Sequence, residues 1–121
     1  MSLLRVIPLI AIISVSVLAI TGYYNDREEV KKLSIPEMYF RANDLESGQY
    51  PRYDEALDIY TKIIDIDRTE ENAWHEKGRI LNHLERCSES LLHYIEYLKV
   101  FSDSERAIEG YEIAKNCVEV R

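Results

Sequence analysis

The sequence predicts an all-α protein, in which an N-terminal apolar helix precedes a short antiparallel helical solenoid. Three observations lead to this fold class. The chain is similar to itself at an offset of about 34 residues, a repeat length typical of stacked helix pairs. Between residues 36 and 118, apolar residues recur with the spacing of one helix face. Residues 6–22 form an uncharged run. The matches at the repeat offset are Tyr60 with Tyr94, Leu57 with Leu91, Ile64 with Leu98, and Phe40 with Trp74 and Ile108.

The chain is acidic, and this limits the classes of partner that it can bind. Its 121 residues carry 22 Asp and Glu against 15 Lys and Arg, a net charge of −7, and every acidic residue lies at Asp26 or later. There is no cluster of basic residues, so we expect no nucleic-acid partner, because an acidic surface repels a phosphate backbone. This charge balance suits a basic or cationic partner, although it also serves solubility alone.

Residues 1–24 are interpreted as a membrane anchor or signal sequence. Arg5 precedes about 17 apolar residues, roughly 25 Å of helix, and Tyr23 and Tyr24 follow where an interfacial anchor would lie. A retained transmembrane helix is the favoured interpretation. The alternatives are a signal peptide, cut after the small residues Val17 and Ala19 to give a secreted protein, and a buried core helix.

The charges around this segment predict its orientation. The positive-inside rule keeps Arg5 in the cytoplasm, so the C-terminal domain of a single-pass protein would be extracytoplasmic. Lys31 and Lys32, on the other side of the apolar run, weaken this orientation. Residues 25–34 are interpreted as a charged juxtamembrane linker.

Residues 35–121 are expected to form five helices. Ser34 and Glu37 match a capping box, with Pro36 tolerated in the first turn, and Gly48 lies in a helix-breaking stretch. The first helix therefore runs from about residue 36 to residue 48. Capping residues predict the other four helices at 54–66, 70–86, 88–101 and 105–119. The predicted caps are Asp54, Thr69, Ser88, and Ser102 together with Glu105.

Two stretches resemble the tetratricopeptide repeat family. They are Ala73-Trp74 followed by Gly78 and Leu81, and Tyr53-Asp54-Glu55-Ala56-Leu57 followed by Tyr60 and Ile63. The resemblance covers about residues 36–118, roughly two and a half units. It implies a tetratricopeptide-like domain of two helix hairpins and a terminal helix, in which stacking buries the faces that no hairpin buries alone.

The register of the first unit has two solutions. At the repeat offset, Asp44 stands where the small residue Gly78 would recur. A two-residue insertion at residues 50–51 would instead bring Ala42 and Leu45 into register.

The resemblance implies a protein-interaction adaptor or scaffold. First helices of such repeats line a concave groove that binds a peptide or protein, such as a subunit of a membrane complex, and the exposed face of the terminal helix suggests weak self-association. Some members of the family bind a partner's carboxyl terminus, which Arg41, Arg79 and Asn82 would imitate only loosely. For each candidate, an ordinary solvated side chain is the alternative. The candidate groove residues are Arg41, His75, Arg79, Asn82, His83, Arg106, Glu109 and Asn116.

Catalytic motifs are absent from the sequence. It contains no Gly-rich phosphate loop, no serine nucleophile elbow, no C-x-x-C and no H-E-x-x-H, so we predict neither an enzyme nor a cofactor nor a metal. The alternative function is a small exported metal-binding or redox-active protein that uses His83, Cys87, His93 and Cys117. Antiparallel stacking would also bring Cys87 towards Cys117, and a disulfide there would contribute on the order of 3 kcal/mol. The other interpretation of the pair is two buried thiols, or two thiols too far apart to bond.

Overall fold

The computed structural model describes residues 33–121. These residues contain five helices and no strand, which confirms the all-α prediction for this part of the chain. The segment predicted to be an anchor or signal, and nearly all of the predicted linker, lie outside the described residues. The helices are α1 (Ile35–Ser47), α2 (Tyr53–Ile66), α3 (Glu71–His83), α4 (Cys87–Val100) and α5 (Glu105–Val120).

The same arginine–glutamate pair marks the starts of α2 and α4. Arg52 precedes α2 and binds the carboxylate of Glu55 through two nitrogens at 2.5 and 2.7 Å. Arg86 precedes α4 and binds Glu89 in the same way at 3.0 and 2.7 Å. The two pairs lie one repeat apart in the sequence, so the repeat extends to the helix starts. Arg86 also donates to Asp54 at 2.8 Å and thereby links the two helices.

The predicted capping residues are mostly wrong. No side chain caps α2, α3 or α4, and α2 and α4 begin one residue before the predicted caps. Thr69 closes a turn instead, because its N–H and hydroxyl both donate to the carboxylate of Asp67, at 2.9 and 2.6 Å. Ser104 caps α5 by accepting from the N–H of Ala107 at 3.3 Å. The predicted caps that do not act as caps are Asp54, Thr69, Ser88 and Ser102.

Short connections make successive helices pack against each other. α1 packs on α2, α3 packs on α4, and the two hairpins join through α2 and α3. α5 packs on both α3 and α4. Among the described helices, α1 and α3 are each followed by a second helix, and α5 is the last.

The repeat spacing is broken only in the first hairpin. α2 begins one repeat before α4, and α3 begins one repeat before α5, but α1 begins two residues too early to stand one repeat before α3. Ala42 is fully buried while Asp44 is exposed, which confirms the alternative with a two-residue insertion. The alignment of Phe40 with Trp74 is wrong, since Phe40 is 78% exposed and Trp74 only 4%. Met38 takes the buried place in α1.

Aromatic rings from α3 and α4 fill the core. The ring of Trp74 lies 5.5 Å from that of His93 and 5.9 Å from that of Tyr97, and Tyr94 stacks on Tyr97 at 6.0 Å. The Trp74 indole N–H donates to the carbonyl oxygen of Arg68 at 3.0 Å, so its one polar atom is satisfied. The α3–α4 hairpin is therefore stabilised mainly by large buried rings.

Two glycines let α3 and α5 approach the same tyrosine. A Cβ atom added to Gly78 of α3 or to Gly110 of α5 would overlap the ring of Tyr94. The ring thus fills the space that both glycines leave open, which places α5 directly against the aromatic core.

Candidate functional site

One side of the domain is built from α1, α3 and α5. Residues three or four apart in each helix bring their side chains to this side. Most are at least partly exposed, and hydrogen bonds join them across the helices. We call this surface the polar face and define it by Tyr39, Asn43 and Glu46 of α1, Asn72, His75, Glu76 and Arg79 of α3, and Arg106 and Glu109 of α5.

Arg79 joins α1 to α3 across the polar face. Its guanidinium binds the carboxylate of Glu46 and donates through Nε to Glu76 at 2.7 Å. Burial alone would lower the pKa of Arg79, but the hydrogen bonds to these two carboxylates raise it above its ordinary value. Glu46 also accepts from the hydroxyl of buried Tyr60 at 2.9 Å. Arg79 is held in one orientation while its side chain stays 44% exposed.

A second set of bonds fixes Arg106 beside α3. Glu71 accepts from the hydroxyls of Ser104 and Tyr97 at 2.5 and 2.9 Å, and these bonds lower the pKa of its carboxyl group. Arg106 lies 3.5 Å from the same carboxylate and donates to Asn72 at 3.1 Å. Arg106 is thus positioned by a carboxylate that is itself held by two hydroxyls.

His75 lies near both arginines. Burial is the main cause that lowers its pKa, and the charges of Arg106 and Arg79 lower it further against the opposite effect of Glu76. The imidazole is therefore neutral at pH 7. Its Nδ1 atom is buried and has no hydrogen-bond partner among the described residues.

Four of the candidate groove residues come together on the polar face. The charges of Arg79 and Arg106 act on the imidazole of His75. The charges of Arg79 and Glu109 act on the hydroxyl of Tyr94. Asn116 is exposed two turns beyond Glu109 on the same side of α5. These five remain candidates for partner binding.

The other three candidates have different surroundings. Asn82 turns into the packing, where it accepts from the hydroxyl of Ser90 and donates to the carbonyl oxygen of Gly110 at 3.4 Å. His83, at the end of α3, packs its ring 5.2 Å from that of Tyr53. Arg41 is exposed but lies about half a turn around α1 from the polar face.

These positions do not assemble the carboxyl-terminus clamp that the family resemblance loosely suggested. Arg41 is on the wrong side of α1, Asn82 is occupied by the packing, and Arg79 already binds two carboxylates. The residues that sequence reasoning missed are the acidic and amide partners of the arginines. They are Glu46, Glu71, Asn72 and Glu76.

The residues of the proposed metal or redox site do not converge. Cys87 and Cys117 are joined in a disulfide, with their Cα atoms 5.5 Å apart, so neither offers a thiolate. Nε2 of His93 lies 2.7 Å from the carbonyl oxygen of Trp74 and donates to it as neutral imidazole. Within residues 33–121, no group of three or more His, Cys, Asp and Glu residues is placed to hold a metal ion.

A cleft between α2 and α4, which we call the α2–α4 cleft, has a volume of about 420 Å³. Trp74 and Leu81 contribute to its lining, together with acidic side chains from both flanking helices. Lys77 also lines it. Burial lowers the pKa of Lys77, while Asp65 and Glu89 act in the opposite direction. The cleft therefore contains two cations of its own, Lys77 and Arg68, which offset part of its acidic charge.

No protein-family model, curated protein or solved structure matches the chain. None of the helices that the structure describes is long and apolar enough to cross a membrane.

Proposed function

We propose that this protein is a membrane-tethered adaptor that binds a peptide or protein segment on the polar face. The observation that carries the proposal is the positioning of Arg79 and Arg106, each by carboxylates that other side chains hold in place. The tetratricopeptide resemblance favours the same surface, because the first helices of such repeats line the binding groove.

The bonds within the polar face lower the cost of binding. A flexible arginine loses rotamer freedom when a partner orders it, at roughly 0.5–1.5 kcal/mol for each such side chain. Arg79 and Arg106 are already ordered by Glu46, Glu71 and Glu76. A partner that accepts from their remaining N–H groups therefore binds a preformed surface.

The charge of the polar face indicates the chemistry of the partner. Two arginines lie among the three carboxylates of the polar face, Glu71 adds a fourth beside Arg106, and His75 is neutral at pH 7. The face therefore keeps the acidic balance of the whole chain. The amide of Asn72 adds hydrogen bonding suited to a peptide backbone. We expect an extended segment that carries basic side chains.

Membrane tethering is part of the proposal and rests on the apolar run of residues 6–22 with Tyr23 and Tyr24 behind it. A tether would concentrate a small binding surface beside membrane partners and so compensate for modest affinity. Carbonate extraction of cell membranes tests it. Recovery of the intact protein in the soluble fraction would contradict the tether.

Site-specific photocrosslinking tests the binding face. A photoreactive amino acid is placed at Asn72 or Glu109 on the polar face, or at exposed Lys62 of α2 as a control position. We expect both face positions to crosslink to the same partner in cells and Lys62 to yield none of it. Crosslinking from Lys62 alone would contradict the choice of face.

Charge reversal adds a matched pair of variants. Arg79→Glu removes the guanidinium donors from the polar face and leaves three mutually repelling carboxylates where Arg79 held Glu46 and Glu76 in place. The preformed surface is then lost, so we expect the crosslink yield from Asn72 to fall at least about tenfold. Arg52→Glu is the control, because Arg52 also binds a glutamate three residues away but lies outside the polar face. An undiminished crosslink in Arg79→Glu would refute the role of the arginine.

A further inference from the structure

α5 presents a line of side chains that the other described helices leave at least partly exposed. Ile108, Tyr111, Lys115 and Val118 are spaced by three, four and three residues, so they lie on one side of the helix. We call them the α5 stripe. Ile108 is 48% exposed and Val118 37%, although α5 packs on α3 and α4. The buried residues of α5 lie about a quarter turn away; they are Ala107, Gly110 and Ala114.

The repeat explains why the α5 stripe is exposed. Ile108 lies one repeat after Trp74, which is buried because α4 follows α3 and covers it. Ile108 is apolar like Trp74, but no described helix covers it in the way that α4 covers Trp74. A second helix of suitable pattern would complete the contact.

The α5 stripe is complementary to itself in the antiparallel direction. Its two ends are aliphatic, Ile108 and Val118, and its two middle residues are Tyr111 and Lys115. Reversing the direction therefore places aliphatic against aliphatic and tyrosine against lysine. Two copies of α5 related by a two-fold axis at the level of Ile113 would place Ile108 against Val118 of the other copy. The same axis places Tyr111 against Lys115 of the other copy, where the lysine stem and ammonium pack on the aromatic ring.

The charges beside the α5 stripe are complementary in the same arrangement. Glu112 and Lys115 are both exposed, and neither forms a salt bridge within the part of the chain that the structure describes. In the antiparallel pair, Glu112 of each copy lies beside Lys115 of the other. The contact thus gives each of these two ions a partner that the described part of one chain does not provide.

We propose that the α5 stripe binds the α5 stripe of a second copy of this chain, forming an antiparallel two-fold dimer. One helix pair buries less than the roughly 1,200 Å² of a stable interface, so the dimer is weak and reversible. The polar face is on the opposite side of α5, where Ile113 lies, and remains free for the partner proposed above. The dimer would give the adaptor two binding faces.

Sedimentation equilibrium of the intact chain, solubilised in detergent if needed, tests the dimer. The wild-type chain is expected to show a reversible monomer–dimer equilibrium. Ile108→Asp alone and Val118→Lys alone each place two charges against aliphatic side chains, so each should raise the dimer Kd at least about tenfold. A one-to-one mixture of the two variants should recover dimer, because the mixed pair has one Asp–Lys contact and one wild-type contact.

Ile113→Asp is the matched control, since Ile113 is an equally exposed isoleucine (51%) on the opposite side of α5. It should keep the wild-type Kd. All three positions are exposed in the monomer, so circular dichroism spectra and melting temperatures should match those of the wild type. A wild-type chain that stays monomeric, a dimer that survives Ile108→Asp, or a mixture that does not recover would each overturn the proposal. So would an equal loss in Ile113→Asp.

Discussion

The α3–α4 hairpin and α5 are held in place by different means. The hairpin buries large side chains, including Trp74, Tyr94 and Tyr97, whose rings contact one another. α5 is the longest described helix, with 16 residues, yet its fully buried positions carry only alanine and glycine. Its attachment depends on close approach to Tyr94 and on the disulfide from Cys117 to Cys87.

The difference shows that a helix can belong to the core without contributing much apolar area to it. At about 25 cal/mol for each Å² of apolar surface removed from water, a buried methyl group contributes far less than a buried indole or phenol ring. The chain-entropy model gives a disulfide that closes about 30 residues roughly 3 kcal/mol. The disulfide therefore gives α5 stability that buried side chains give the α3–α4 hairpin.

The largest effect should come from removing the central ring of the hairpin. Trp74→Ala deletes a side chain that is almost fully buried, so we expect a loss of about 3–5 kcal/mol in the free energy of unfolding. Urea titration followed by circular dichroism measures it. Phe40→Ala is the control, because Phe40 is the sequence match of Trp74 but is exposed, and should cost less than about 0.5 kcal/mol. Equal losses of stability in the two variants would mean that Phe40 and Trp74 are equivalent positions, contrary to the structure.

The next effect concerns α5 alone. Reduction of the Cys87–Cys117 disulfide should lower the free energy of unfolding by about 3 kcal/mol. The backbone amides of α5 should then exchange with deuterium much faster, while those of α3 and α4 change less. Hydrogen–deuterium exchange with and without a phosphine reductant measures this difference. The variant Cys87→Ala/Cys117→Ala should not respond to reductant, and equal acceleration in all helices would show that α5 does not depend on the bond more than its neighbours do.

Apolar periodicity predicted the five helices, since each carries residues on one face that its neighbours bury. The tetratricopeptide resemblance singled out Trp74 and Gly78, and the structure buries both of them. The position of Phe40 was predicted wrongly, because a fixed offset cannot show whether the connection between α1 and α2 absorbs two extra residues. The alternative with a two-residue insertion, which placed Ala42 on the buried face, was correct.

The polar face was less predictable than the fold. The tetratricopeptide resemblance predicted Arg79 and Arg106 as groove residues, but it gave no indication of the partners that another helix supplies to them. Glu46 is an example, because it comes opposite Arg79 only in the shifted register of α1. Asn82 fails for a different reason. Its amide bonds inside the packing to the Gly110 carbonyl oxygen and the Ser90 hydroxyl, and both partners lie on other helices.

The smallest effect uses pH to separate the two regions, because all three histidines of the chain lie on α3 and α4 and none on α5. Burial lowers the pKa of His93 from 6.5 to about 4, although its hydrogen bond to the carbonyl of Trp74 acts in the opposite direction. The unfolded chain therefore binds this proton more readily than the folded one. The stabilisation is complete above pH 6.5 and is lost as pH falls from there towards pH 4.

We expect the free energy of unfolding to fall by about 2 kcal/mol between pH 7 and pH 5, with His75 adding a smaller contribution of the same sign. Urea titrations at a series of pH values, followed by the fluorescence of the single tryptophan, measure the slope. His93→Gln should remove most of it, whereas Phe40→Ala, which changes an exposed residue that does not titrate, should keep it. A steep slope that survives in His93→Gln would mean that carboxylates at the helix contacts, among them Glu71 beside α5, dominate the acid response instead.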